Sequence, residues 1–219
     1  MLISHLDFKG VLPRAEHLPQ LLEDIAARGF DGVLVEYEDV FPFEGVQLSV
    51  APEEKWSRET LQNFLDKAAD LNLEVIPFQQ CLGHLEWVFR WEKWRHFALD
   101  LKYPSTLDIF NADAKKFVFG LFEQVLDAHP RSRFVHVGLD EAHALVSHAR
   151  ENNLNAVQLL LDILEEIYAL CEGRGVTPLI FTDVFENNWN TASLQRLQTF
   201  RDRVVMTPWD YSAHGERLR

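Results

Sequence analysis

Phe134-Val135-His136-Val137-Gly138-Leu139-Asp140-Glu141 is a short β-rich apolar run that ends in two adjacent carboxylates. The run reads as a strand over Arg133–Gly138. In an α/β protein, ligands and reacting groups gather at the C-terminal ends of the strands, so the position of the acid pair decides both fold and site. Side chains alternate along a strand. His136, Gly138 and Asp140 therefore share one parity, and Glu141 leaves the strand. Two carboxylates this close are also expected to raise the pKa of one of them. Asp140-Glu141-Ala142-His143 spells a helicase box as well. That box requires a Gly-Lys phosphate loop, and the sequence holds no Gly-Lys pair.

Working outward, short apolar runs alternate with helical periodicity. Strands are expected at Leu2–Phe8, Gly32–Tyr37, Leu73–Phe78, Thr177–Thr182 and Val204–Pro208. Helices are expected at Glu16–Arg28, Arg58–Leu71 with Ser57 as N-cap, Asn111–Ala128, Leu154–Glu172 and Ala192–Arg201. The doubly apolar Gly32–Tyr37 run suits a strand buried on both faces of a parallel sheet. Repeated βα units without a linker give an α/β fold of one domain. No Gly-rich loop follows the first strand, which argues against a dinucleotide-binding sheet. Polar or aromatic residues follow almost every strand, which is the pattern of a (β/α)₈ barrel of the TIM type. Such a barrel takes about 250 residues and eight strands. Residues 1–219 are therefore expected to form an incomplete barrel, about six of eight βα units, with the C-terminal units missing. Its first and sixth strands would be open edges, prone to self-association.

The composition bounds the partners. At 47% hydrophobic and 25% charged, the chain can bury a sizeable core. A net charge of −13 argues against nucleic acid and anionic membranes. No run is apolar enough to span a bilayer, and the N-terminus lacks the basic start of a secretory signal. Cys81 and Cys171 are expected as reduced, buried thiols, which points to a cytoplasmic setting. Aromatic residues make up 12% and include six Trp. Trp87, Trp91 and Trp94 have helical spacing and are expected to pack.

Six ordered stretches carry a resemblance. They are His5–Gly10, Glu36–Gly45, Glu74–Pro77, Gly83–Glu86, His136–Glu141 and Trp209–Tyr211. With His-x-Gly-x-Asp-Glu at its centre, the chain resembles glycoside hydrolase family 20, the β-N-acetylhexosaminidases, and within it the hexosaminidase D branch. The resemblance implies a barrel that removes terminal β-linked N-acetylglucosamine or N-acetylgalactosamine. It implies no cofactor and no metal. Its partner would be an amino-sugar glycoside or glycoconjugate.

In this family the substrate's own 2-acetamido oxygen attacks the anomeric carbon, an exception to the usual carboxylate nucleophile. By resemblance Glu141 is the acid/base, and Asp140 orients the acetamido N–H. Substrate-binding roles fall to His84, His136, Asp183, Trp209, Tyr211, Asp7 and Glu38. Taken singly, Glu38 and Asp39 read as loop charges, and His5, His17, His129 and His148 as structural or exposed. Asp7 and Lys9 stand where many members carry a hydroxyl-gripping arginine. Phe181 stands where the branch has tryptophan. Two other classes compete: a sugar-binding protein without catalysis, and a metal hydrolase using His136, Asp140, Glu141 and His143.

Overall fold

A computed structural model describes residues 1–188 and 190–209. In chain order the elements are β1 (Ile3–Asp7), α1 (Leu18–Ala27), β2 (Gly32–Glu36), α2 (Arg58–Asp70), β3 (Glu74–Phe78), α3 (Glu86–Phe89) and α4 (Ala112–Ala128). Then follow β4 (Phe134–His136), α5 (His143–Glu151), α6 (Ala156–Glu172), β5 (Thr177–Ile180), α7 (Asp183–Asn188), α8 (Thr191–Leu197) and β6 (Val205–Met206). Strand order follows the chain from β1 to β6. The architecture is the expected α/β one, with parallel strands and helices between them.

Two compact units divide the chain: residues 1–79 with 116–136, and residues 80–115 with those from Val137 onward. In the first unit β1, β2, β3 and β4 pair in parallel. Their register sets Asp7, Glu36, Phe78 and His136 in one row at the C-terminal ends. A shared row means a shared face. The Phe78 and His136 rings meet with centroids 4.4 Å apart, and His136 is buried. Ser57 caps α2 by accepting from the Thr60 N–H, and, in the second unit, Asn111 accepts from the N–H groups of Asp113 and Ala114 at the head of α4, as the sequence predicts. Leu61, Phe64 and Ala68 of α2 are buried on one face, the helical spacing of an inward stripe.

In the second unit β5 and β6 pair in parallel. The residues just beyond β4 continue beside β5: the Val137 N–H donates to the Leu179 carbonyl, and the Phe181 N–H to that of Gly138. On the other side the Cys81 N–H donates to the Val137 carbonyl. The regular ladder ends at His136, two residues short of the expected strand. Gly138 and Leu139 adopt φ of +70° and +76°, left-handed conformations that no strand continues through. Trp87 and Trp94 are buried, so most of the three tryptophans pack as expected, but α3 ends at Phe89 and Trp91 and Trp94 lie outside it. Cys81 and Cys171 are buried thiols not joined in a disulfide. Among the described residues no helix is long and apolar enough to cross a membrane.

His129, at the end of α4, is buried. Its Nδ1 lies 2.7 Å from the Val125 carbonyl, which only accepts, so Nδ1 carries the proton. Nε2 then accepts from the Tyr37 hydroxyl at 2.9 Å. Burial lowers the imidazole pKa to about 4, against a smaller opposite effect of the Val125 carbonyl. The unfolded chain binds the proton near pH 6.5 and the folded chain does not. Stability tied to His129 is therefore present above pH 6.5 and is lost as pH falls to about 4. Relative to a His129→Gln variant, the protein should lose about 3 kcal/mol between pH 7 and pH 4. Urea unfolding of both proteins across this range measures the difference. A constant difference would contradict the buried neutral imidazole.

Candidate active site

The acid pair lies in the second unit, immediately after the left-handed turn at Gly138 and Leu139. Glu141 is itself at φ +47°, a strained conformation for a non-glycine residue of the kind that clusters at functional sites. Its N–H donates to Asp183 Oδ2 at 3.0 Å. Asp183 opens α7, so the end of β5 holds the backbone that follows β4.

His84 joins the two carboxylates. Its Nε2 lies 3.3 Å from Asp140 Oδ2 and 3.5 Å from Glu141 Oε2. His84 is also left-handed, at φ +52°. Gln80 donates from Nε2 to Asp140 Oδ1 at 3.3 Å. Sequence reading missed Gln80; the one available signal was its place directly after the third strand. A Cβ on Gly138 would meet the Gln80 side chain at 1.7 Å, so glycine there admits both the turn and the amide that holds Asp140.

The two aspartates are driven apart. Burial pushes Asp140 up, but the hydrogen bond and charge of His84, with the Gln80 amide, outweigh it and hold the carboxyl below its usual range. The rise expected for one carboxyl of the pair therefore does not fall on Asp140. Asp183 is raised, first by burial and further by the charge of Asp140; the Glu141 N–H and the nearby Trp209 indole act the other way. Asp140 stays ionised, with its side chain 13% exposed, while that of Glu141 is 44% exposed. This arrangement supplies one fixed carboxylate that accepts a hydrogen bond. Beside it stands a solvent-reachable one that can exchange a proton.

Asp7 and Glu38 belong to the first unit. Asp7 Oδ1 accepts from the Lys9 N–H. Lys9 Nζ lies 3.2 Å from Glu38 Oε1, and His5 Nε2 lies 3.5 Å from Glu36 Oε2. Glu38 and Asp39 are buried, Glu38 only 4% exposed, so reading them as loop charges fails. Burial raises Glu38 to about 8, offset in part by Lys9. Tyr211 lies outside the described residues. Among the described residues no group of three or more His, Cys, Asp and Glu side chains is arranged to hold a metal ion.

No family model matches the chain. Over its whole length it is 31% identical to hexosaminidase D of Bos taurus and 29% identical to hexosaminidase D of Homo sapiens. It spans 66% of the first and 47% of the second. Over its full length the chain is thus similar to hexosaminidase D proteins, of whose own length it spans less than two thirds. The solved structure of Dispersin B superimposes with a TM-score of 0.73 at 16% identity, over 96% of the chain and 64% of that structure. Streptomyces plicatus β-hexosaminidase in its D313N form, in complex with GlcNAc as product, gives 0.68 at 12% identity, over 95% and 47%. At such identities the likeness concerns the fold: the hexosaminidase D-like chain covers part of a TIM-type barrel.

Proposed function

We propose that the chain acts as an exo-β-N-acetylhexosaminidase with a retaining, substrate-assisted mechanism. The supporting observation is the pair Asp140 and Glu141, one held ionised and one exposed, bridged by His84. The carboxylic acid of Glu141 protonates the glycosidic oxygen as the C–O bond breaks. The 2-acetamido oxygen attacks the anomeric carbon and closes an oxazolinium ring. Asp140 accepts the acetamido N–H and offsets the positive charge that develops there. Glu141, now a carboxylate, deprotonates water. The water opens the ring and releases the sugar with its configuration retained.

Asp183 and His84 position the pair. Trp209 walls the acetamido group, and a donor role to the acetamido oxygen for Tyr211, outside the described residues, rests on the family resemblance alone. Substrate-binding roles for Asp7, Glu38 and His136, which belong to the first unit, rest on the family resemblance alone. The amino-sugar substrate is the class seen in Streptomyces plicatus β-hexosaminidase, whose structure holds GlcNAc.

The test is substrate choice. A chromogenic β-N-acetylglucosaminide should be hydrolysed, and the plain β-glucoside, which lacks the internal nucleophile, should be a poor substrate. A thiazoline mimic of the intermediate should inhibit competitively, Asp140→Asn should slow turnover, and chelator should leave it intact. A covalent glycosyl-enzyme trapped on a carboxylate would sink the mechanism. Loss of activity in chelator would favour the metal hydrolase.

A further inference from the structure

A groove of about 540 Å³ lies within the second unit, and its lining residue His143 donates its backbone N–H to the Glu141 carbonyl. The volume lies in the range of small-ligand sites, roughly 300–1,000 Å³. One wall is α5, which begins two residues after Glu141. His143, Ser147, His148 and Glu151 line the groove at helical spacing, while Leu145 and Ala149 turn to the core. Helical side chains lean toward the N-terminus, so this face leans toward Glu141. The other wall is the excursion between Ala98 and Leu107, closed by an antiparallel bridge and carrying Tyr103. The excursion is fixed beside His84: the Leu85 N–H donates to the Ser105 carbonyl, and the Leu107 N–H to that of Leu82. Asp100 Oδ1 accepts from the N–H groups of Lys102 and Tyr103, and Arg95 donates to the Leu101 carbonyl. The wall is therefore preformed. Each wall starts within a few residues of a group touching the acid pair.

We infer that this groove receives the leaving portion of the substrate, and that this portion is a neutral saccharide. The inference rests on the proposed hydrolase reading. A general acid protonates the glycosidic oxygen, so the leaving group must lie on its side. Both walls of the groove adjoin the segments that carry Glu141 and His84. Hydroxyls, imidazoles and carboxylates, interspersed with Leu99, Leu101 and Ala144, surround one exposed ring and suit a polyhydroxylated ligand with a C–H face. Tyr103 is 66% exposed although Lys102 Nζ sits 5.0 Å from its ring centroid, and an aromatic ring with a polar tip serves such ligands. A lipid chain would need a continuous apolar wall. The charged lining residues are Asp100 and Glu151, with no Lys or Arg, which disfavours sulfated or otherwise anionic saccharides.

Calorimetric binding separates this inference from the hydrolase reading. The protein carrying Glu141→Gln, which blocks turnover, is titrated with N-acetylglucosamine and with a neutral trisaccharide ending in it. The trisaccharide should bind more tightly. Tyr103→Ala should weaken the trisaccharide by up to about tenfold, the worth of one aromatic contact, and leave the monosaccharide unchanged. Tyr103→Phe should keep the affinity. Ser147→Trp, at an exposed helix position, should fill the groove and act like Tyr103→Ala. A sulfated trisaccharide should bind less well. A trisaccharide with no advantage over the monosaccharide, or indifferent to both variants, overturns the groove assignment. If the unsubstituted protein hydrolyses no glycoside while the Tyr103-dependent advantage persists, the hydrolase reading falls and the groove stands. If it hydrolyses a methyl glycoside but shows no such advantage, the reverse holds.

Discussion

Glu141→Gln is expected to slow hydrolysis of a β-N-acetylglucosaminide by roughly 10²–10⁴-fold, the share carried by one positioned general acid–base. Glutamine keeps the shape of the side chain and the backbone N–H that Asp183 accepts, so urea unfolding should be unchanged. The loss should depend on the leaving group. An alkyl glycoside needs its oxygen protonated as the bond breaks, and should show the full effect. An activated aryl glycoside leaves without help, so its first step should survive and the second should become limiting. Added azide needs no base to attack the anomeric carbon, and should restore turnover of the aryl substrate alone. Wild-type rates on the alkyl glycoside would remove Glu141 from the acid role. Intact first and second steps in Asp140→Asn would remove its partner.

The strands and capped helices were legible because burial writes period and punctuation into a chain. Val33 and Val35 of β2 are both fully buried, and Val33-Leu34-Val35 reads as an unbroken apolar run. Ser57 and Asn111 stand where helix N–H groups need acceptors. Helix α5 escaped notice because it buries little, only Leu145 and Ala149, and α7 because six residues are too few to show a helical period. The acid pair was legible from its place after the fourth strand. Its electrostatics were not. Adjacency predicts mutual repulsion, whereas His84 and Gln80, distant in sequence, reach Asp140 through the fold and hold its carboxyl below the usual range. Glu38 failed for the same reason. A charge after a strand looks solvated until the neighbours that bury it are placed, and then its carboxyl is pushed up to about 8.

That dependence on distant backbone can be tested at a position with no chemistry of its own. Gly83 precedes His84 in the loop after β3. A Cβ built there would stand 2.5 Å from the Asp140 carbonyl oxygen, 3.7 Å from its carbonyl carbon and 3.8 Å from the Ala142 nitrogen. Such atoms essentially never approach closer than 3.0 Å. The obstacle is backbone, which has no rotamer to give. Gly83→Ala must therefore push the loop and the turn carrying Asp140 and Glu141 apart. The two carboxylates share His84, so one displacement disturbs both contacts. A misplacement of about 1 Å costs on the order of 10²-fold in rate, and overpacking a buried site costs roughly 1–3 kcal/mol in stability. Gly83→Ala should thus lower kcat by about 10–100-fold while the protein remains folded at 25 °C. Gly173→Ala is the control. Its Cβ would meet nothing nearer than 3.7 Å, an ordinary contact, and both rate and stability should hold. Steady-state kinetics and thermal unfolding of the two variants decide the matter. An unchanged kcat in Gly83→Ala would mean that the acid pair does not depend on the close approach of these two loops.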